Sequence, residues 1–151
     1  MRARFSAERL IDAPANVVYR CLADYSQHHR PGGFLPPAFS NQEILSGGIG
    51  DGTVIRLSVR LAGRTNSLTT RISEPEPGRV LVEDSDNVQT TFTVQPEVDK
   101  SRVRFDTVLE AGGLQGLMNW LFAARLLRPL YTDELDRLEC YARYQAAAVM
   151  R

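Results

Sequence analysis

The sequence predicts an α+β domain in which a long C-terminal helix lies against a curved antiparallel seven-stranded sheet, with a short helical segment after strand one. Three observations carry this reading. From Leu114 to Tyr144 the chain reads LQGLMNWLFAARLLRPLYTDELDRLECYARY, with apolar residues at sustained three- and four-residue steps. Between Arg4 and Glu110, short runs of alternating apolar and polar residues are divided by glycine, proline, asparagine and aspartate. Near Pro14 the alternation gives way once to helical spacing.

Size and charge bound the function. The 151 residues suffice for one domain, taken as 1–151, with a real core. Hydrophobic content of 43% and charged content of 24% are globular values. Eighteen basic residues balance eighteen acidic ones, which argues against a nucleic-acid partner held by phosphate contacts. The start, MRARFSAERLID, lacks the apolar centre of a secretory signal, and no segment has the length and apolarity of a membrane span. Cys21 and Cys140 make neither a metal spacing nor a disulfide framework. A cytoplasmic protein with reduced thiols, no cofactor, no metal and no integral membrane association is expected.

Strand one runs from Arg4 to Asp12, with Phe5, Ala7, Arg9 and Ile11 on one side. Pro14 suits the first turn of a helix, where its missing N–H costs nothing, and Val18, Leu22 and Tyr25 follow at helical steps. That helix ends between Asp24 and His28, and HHRPGGFLPPAF is a loop. Strand two covers Ala38 to Leu45. GGIGDG (Gly47–Gly52) has the wrong spacing for a phosphate loop and precedes a strand, so it is a hairpin turn. Strand three places Thr53, Ile55, Leu57, Val59 and Leu61 on one face, and strand four follows with Leu68, Thr70 and Ile72. EPEPG is a turn, RVLVEDS strand five, DN a tight turn and QTTFTVQP strand six. In strand seven Val103, Phe105, Thr107 and Leu109 point inward. Short turns between successive strands give an antiparallel meander.

In the long helix Leu117, Leu121, Ala124, Leu127 or Arg128, Tyr131, Leu135, Leu138 and Ala142 form the core stripe, and from Asp133 onward the other faces are charged, Glu134 among them. Pro129 predicts a kink or break, with Thr132 capping a restarted segment. Met118, Trp120 and Phe122 lie off the stripe. They are either covered by a loop or form the face of a homodimer.

Three stretches resemble a known family. ERLIDAPANVVYRCLADY is similar to its opening, in which an I-x-A-P run precedes a helix. EPGRVLVE is similar to the turn into its fifth strand, and LLRPLYTDELDRLECYAR to its terminal helix. The family is the START-like helix-grip superfamily, specifically the bacterial SRPBCC, or polyketide cyclase/dehydrase-like, group. The resemblance spans essentially the whole chain, and each motif belongs to the scaffold. It implies a cavity between sheet and helix for a small hydrophobic molecule such as a lipid, quinone or polyketide. A minority of relatives catalyse cyclisation or dehydration.

Ile55, Leu57, Val59, Leu68, Ile72, Phe92 and Phe105 would line such a cavity against Leu121, Ala124 and Tyr131. Thr70, Thr90 and Thr107 would supply a few orienting polar groups, although threonine is also simply a good strand residue. Arg128 with Tyr131 would hold a ligand carboxylate or phenol, or else Tyr131 is a core aromatic and Arg128 reaches solvent. Glu83 or Asp84 would be more telling, but the phase of RVLVEDS is open. Asp24 and His28 share a helical face and are the weak candidates for acid–base catalysis, against the plainer reading of a solvated helix end. Binding of a small hydrophobic molecule is therefore the leading expectation. A cyclase, dehydratase or hydrolase using cavity polar residues is the first alternative. An interaction module built on the apolar start of the long helix is the second.

Overall fold

The computed structural model describes the backbone of residues 2–27, 32–61, 63–110 and 113–149, with side chains described outside 61 and 113–124. In chain order the elements are β1 (Arg2–Ile11), α1 (Ala15–Ala23), β2 (Phe39–Ser46), β3 (Val54–Leu61), β4 (Arg64–Glu76), β5 (Val80–Ser85), β6 (Val88–Glu97), β7 (Lys100–Glu110) and α2 (Gly113–Val149). All seven strands form one antiparallel sheet in the order β1-β7-β6-β5-β4-β3-β2. Sequential strands are neighbours except for β1, which closes on β7. The predicted α+β architecture, a curved sheet against a long C-terminal helix, is the one found.

Alternation decides which face is inner. Ile55, Leu57 and Val59 of β3, Leu81 of β5, Phe92 and Val94 of β6, and Val103 and Phe105 of β7 are all buried. The outer face of β1 and β7 carries an exposed Glu8, Arg102, Arg104 and Asp106 network with Glu97 and Ser6. Exposed pairs of this kind contribute little to stability. Strand β4 is longer than expected. It runs on through Ser73 to Glu76 by way of a bulge, so only the end of EPEPG turns.

Helix α2 buries Leu127, Tyr131, Leu135, Leu138 and Ala142, the stripe read from its period. It also corrects two expectations. Of the kink or break expected at Pro129, the break is absent: the helix runs through it. A proline inside a helix costs roughly 3 kcal/mol, and burial of Leu127 and Tyr131 on either side offsets it. Thr132 does not cap a new segment; its hydroxyl donates back to the Arg128 carbonyl at 3.0 Å, as threonine does inside a helix. The side chains of Met118, Trp120 and Phe122 lie outside the described residues.

Two clasps hold the helices to the sheet. Arg9 of β1 pairs with Asp136 and Glu139 of α2, and Glu139 also accepts from the Asp12 backbone at 3.1 Å. The Gly47–Gly52 turn grips the end of α1: Tyr25 N–H donates to the Gly48 carbonyl at 2.8 Å and Gly50 N–H to the Ala23 carbonyl at 2.9 Å. Gly50 is required there. It has φ 64, and a Cβ on it would lie 2.1 Å from the Glu74 carboxylate that accepts from Asp51 N–H.

The turn between β6 and β7 contains Val98 at φ 59, fully exposed. A β-branched residue in the left-handed region costs roughly 1–2 kcal/mol, and no buried contact offsets it. Val98→Gly is expected to raise the thermal midpoint by a few degrees, at ~2–4 °C per kcal/mol for a chain of this size. An unchanged or lower midpoint would show that this turn tolerates valine.

Candidate functional site

A polar row crosses the inner face, and strand register creates it. Phe5 pairs with Thr107, Thr107 with Thr90, Thr90 with Glu83 and Glu83 with Ile72. The flanking row toward the β6–β7 turn is apolar, running Ala7, Phe105, Phe92 and Leu81. Phe105 meets both Phe92 and Tyr131 edge to face, with ring centroids 4.6 and 6.0 Å apart.

Helix α2 lowers Tyr131 and, three residues on, Glu134 over this row. Thr90 and Thr107 share a hydrogen bond of 2.9 Å, and the Thr107 hydroxyl donates to the Tyr131 oxygen at 2.8 Å. Tyr25, just past α1, donates its hydroxyl to Glu83 Oε2 at 3.1 Å. Beside this cluster lies a chamber of about 90 Å³. Its apolar wall is Leu35, Phe39, Leu57, Leu68, Val88 and Phe92; its polar wall is Thr70, Glu83, Ser85, Thr90, Tyr131 and Glu134. Phe39, Leu68, Glu83, Ser85 and Val88 are half-exposed, so the mouth lies on their side.

The electrostatics are those of one buried acid, Glu134, and one, Glu83, whose carboxyl is turned inward on a half-exposed residue. Burial pushes the Glu83 carboxyl up to about 7, against the lowering effect of the Tyr25 hydroxyl. Glu134, 3% exposed, is held well above the usual carboxylate range, first by burial and then by the negative charges of Glu83 and Asp133. Burial raises the phenol of Tyr131 to about 12, although its threonine partners pull it down.

The sequence-predicted site residues divide as follows. Leu57, Leu68, Thr70, Thr90, Phe92 and Tyr131 line the chamber. Ile55, Val59, Ile72, Phe105 and Thr107 are buried on the same face but away from its surface, as core around it. Arg128 is exposed and lines an outer groove of about 710 Å³ between β1 and α2, with Pro129, Thr132 and Asp133. It does not join Tyr131, because Leu127, four residues before Tyr131 and about 100° round the helix from Arg128, takes the inner place on the stripe. Leu121 and Ala124 fall among the side chains outside the description, as does all of His28. Asp24 is buried and its carboxylate accepts from Ser26 N–H and Gln27 N–H at 3.0 and 3.1 Å, closing the turn after α1. Among the described residues no three His, Cys, Asp or Glu side chains converge as a metal site would require.

Sequence reasoning missed Glu134 and Leu35. Glu134 was placed on the charged outer face; it is buried because it stands three residues after Tyr131 and four before Leu138, on their side of the helix. Leu35 and Phe34 look like loop residues, yet both are buried, and Phe34 packs on Tyr141 at 6.3 Å. Glu83 is the inward carboxylate that the phase of β5 left open. The two-residue Asp86–Asn87 turn pairs Ser85 with Val88 and so Glu83 with Thr90, which settles it.

Glu83 binds its proton in the folded state up to about 7, whereas an ordinary glutamate loses it at 4.5. The folded chain therefore holds more protons in that interval, and stability falls as pH rises through it. Glu134 acts in the same direction. Glu134→Gln is expected to raise the thermal midpoint by several degrees at pH 8 and to change it little at pH 4.5. Equal gains at both pH values would place the cost in packing instead of charge.

The chain matches the family described as polyketide cyclase / dehydrase and lipid transport over residues 2–143. No match is found among proteins of curated function. Among solved structures it is similar to the KanY protein, with 24% identity, 95% of this chain and 99% of that one covered, and a TM-score of 0.81. The ZhuI aromatase/cyclase from Streptomyces sp. R1128 superposes with a TM-score of 0.71 at 17% identity, covering 95% and 94% of the two chains. A START superfamily protein from Mycobacterium smegmatis gives 0.70 at 17% identity, with 94% and 98% covered. At these identities the structural likeness shows the fold alone. With the matched family spanning nearly the whole chain, this protein belongs to the polyketide cyclase / dehydrase and lipid transport family.

Proposed function

We propose that the chamber between the sheet and α2 takes up a small molecule with an apolar body, and that this binding is the function of the fold. The chamber's composition carries the reading: six apolar side chains face six polar ones across one space between sheet and helix. In a ligand site apolar walls supply affinity and polar groups orient the guest, and this lining, half polar, would weight orientation more than most. Family membership supports the same class, and the ZhuI aromatase/cyclase is a solved structure of similar fold.

Size adds a condition. The chamber's 90 Å³ is less than the ~150 Å³ of a cavity that admits benzene. A whole ligand therefore enters only if the wall gives way. Phe39, Leu68 and Val88, half-exposed at the mouth, have room to swing outward. Binding then costs some repacking, and affinity follows less than the apolar area covered.

An acid–base enzyme is the second reading. Glu83 favours it, held near neutrality and hydrogen-bonded to Tyr25, as a group that gives and takes protons at physiological pH. It moves the chemistry from the Asp24 and His28 pair to the chamber.

Native mass spectrometry of the purified chain, followed by Nile red titration, tests the binding reading. A carried molecule or saturable Nile red fluorescence is expected. Leu57→Trp, which fills the chamber from β3, is expected to weaken Nile red uptake at least tenfold while the protein stays folded by circular dichroism. Undiminished uptake in that variant would move the site elsewhere.

A further inference from the structure

We propose that the outer edge of β1 is a self-association surface: two copies of this chain pair β1 against β1, antiparallel about a twofold axis, and continue one sheet into the other.

Strand register opens this edge. In an antiparallel ladder the backbone groups of successive residues point to opposite neighbours. Glu110 N–H donates to the Asn87 carbonyl at 3.0 Å, on the β6 side of β7. Val108, Asp106 and Arg104 stand in the same phase and also bond toward β6. Their partners on β1 are Arg4, Ser6 and Glu8. The N–H and C=O groups of those three residues therefore point away from the sheet. Asp12 N–H, next in that phase after Leu10, confirms the direction, because Glu139 of α2 accepts it at 3.1 Å. Beside Ser6 to Arg9 the space between strand and helix is instead the outer groove of about 710 Å³, with Arg128, Thr132 and Asp133 on its far wall. Among the described residues no backbone group meets the outward N–H and C=O of Ser6 and Glu8.

The two edges of the sheet differ. Strand β2 is interrupted by register shifts between Ser40 and Glu43 and between Ile44 and Ser46, and Asn41 within it stands at φ 52. Such irregularities blunt an edge against pairing. Strand β1 pairs with β7 over ten residues without a shift, so its outer side can template another strand.

The charge order of β1 names the occupant. Arg4, Ser6 and Glu8 share the exposed outer face. An antiparallel copy centred on Ser6 sets Ser6 opposite Ser6 and Arg4 opposite Glu8, and the twofold axis repeats that pair. These are the residues whose backbone groups point outward, so the register that matches the charges also exchanges the hydrogen bonds. A register centred one residue to either side sets Arg4 against Leu10 or Ser6. Glu8 already faces Arg102 at 3.2 Å on its own sheet; the charges select the register, and the backbone bonds hold the pair.

Sedimentation velocity from about 10 µM to about 500 µM, with amide exchange followed by NMR, tests this. The wild type is expected to pass from monomer to dimer over that range, and the Ser6 and Glu8 amides to gain protection as it does. Ser6→Pro removes the central outward N–H and no bond to β7, a position where an edge strand tolerates proline. It is expected to weaken dimerisation at least tenfold with an unchanged circular dichroism spectrum. Arg4→Glu is expected to weaken it at least tenfold, and Arg4→Glu combined with Glu8→Arg to restore it to within threefold, each variant checked for folding in the same way. If Ser6→Pro does not fold, the charge exchange decides. A wild type that stays monomeric overturns the proposal. So does a dimer that Ser6→Pro leaves intact, as one formed through Met118, Trp120 and Phe122 would be, or a charge exchange that restores nothing.

Discussion

The structure depends on how Tyr131 is seated against Thr107. Apolar burial holds a helix to a sheet but does not say where along the sheet it rests, because the attraction has no direction. The hydroxyl chain from Thr90 through Thr107 to Tyr131, with steps of 2.9 and 2.8 Å, supplies that direction. Once Tyr131 is fixed, Phe105 closes against it edge to face, and Leu127, Leu135, Leu138 and Ala142 fall on the inner side. Glu134 is then committed to the interior by helical geometry alone. The site is a consequence of the register that builds the core.

The other half of the site depends on α1. A helix of nine residues has little stability of its own, so its end is held by the Gly47–Gly52 turn and by the Tyr19 hydroxyl on Glu74 at 2.6 Å. That hold sets Tyr25, fully buried, against Glu83. The glycine turn that the sequence excluded as a phosphate loop thus still serves the site, by positioning.

Much of this is legible in the sequence, for identifiable reasons. Alternation over Ile55, Leu57 and Val59, or over Val103, Phe105 and Thr107, fixes a face because the strand period is two and one face must be buried. The helical stripe through Tyr131, Leu135 and Leu138 is equally plain. What misled were residues whose type argues against their place. Glu134 reads as surface because glutamate is rarely buried, and Phe34 and Leu35 read as loop because prolines and glycines surround them. Arg128 and Leu127 compete for one position of the stripe, and burial gave it to leucine. Pro129 forbids a hydrogen bond but does not forbid a helix that is packed on both sides of it.

Once ionised, the two chamber acids cost the fold, since desolvation raises both carboxyls above their ordinary range. Apolar residues of similar volume in their place would stabilise the empty protein, as replacement of buried charged groups often does. A sequence consistent at almost every other inner position breaks its own pattern at two, and both open onto the same small space. Any molecule that binds the folded chain there and not the unfolded one would stabilise it. A ligand taken up as proposed would meet the hydrogen-bonded row of Thr90, Thr107 and Tyr131 at one end and the half-exposed walls at the other. Recognition at the row would then be rigid, and accommodation at the mouth loose. Such a site would discriminate by functional group more sharply than by chain length or ring system.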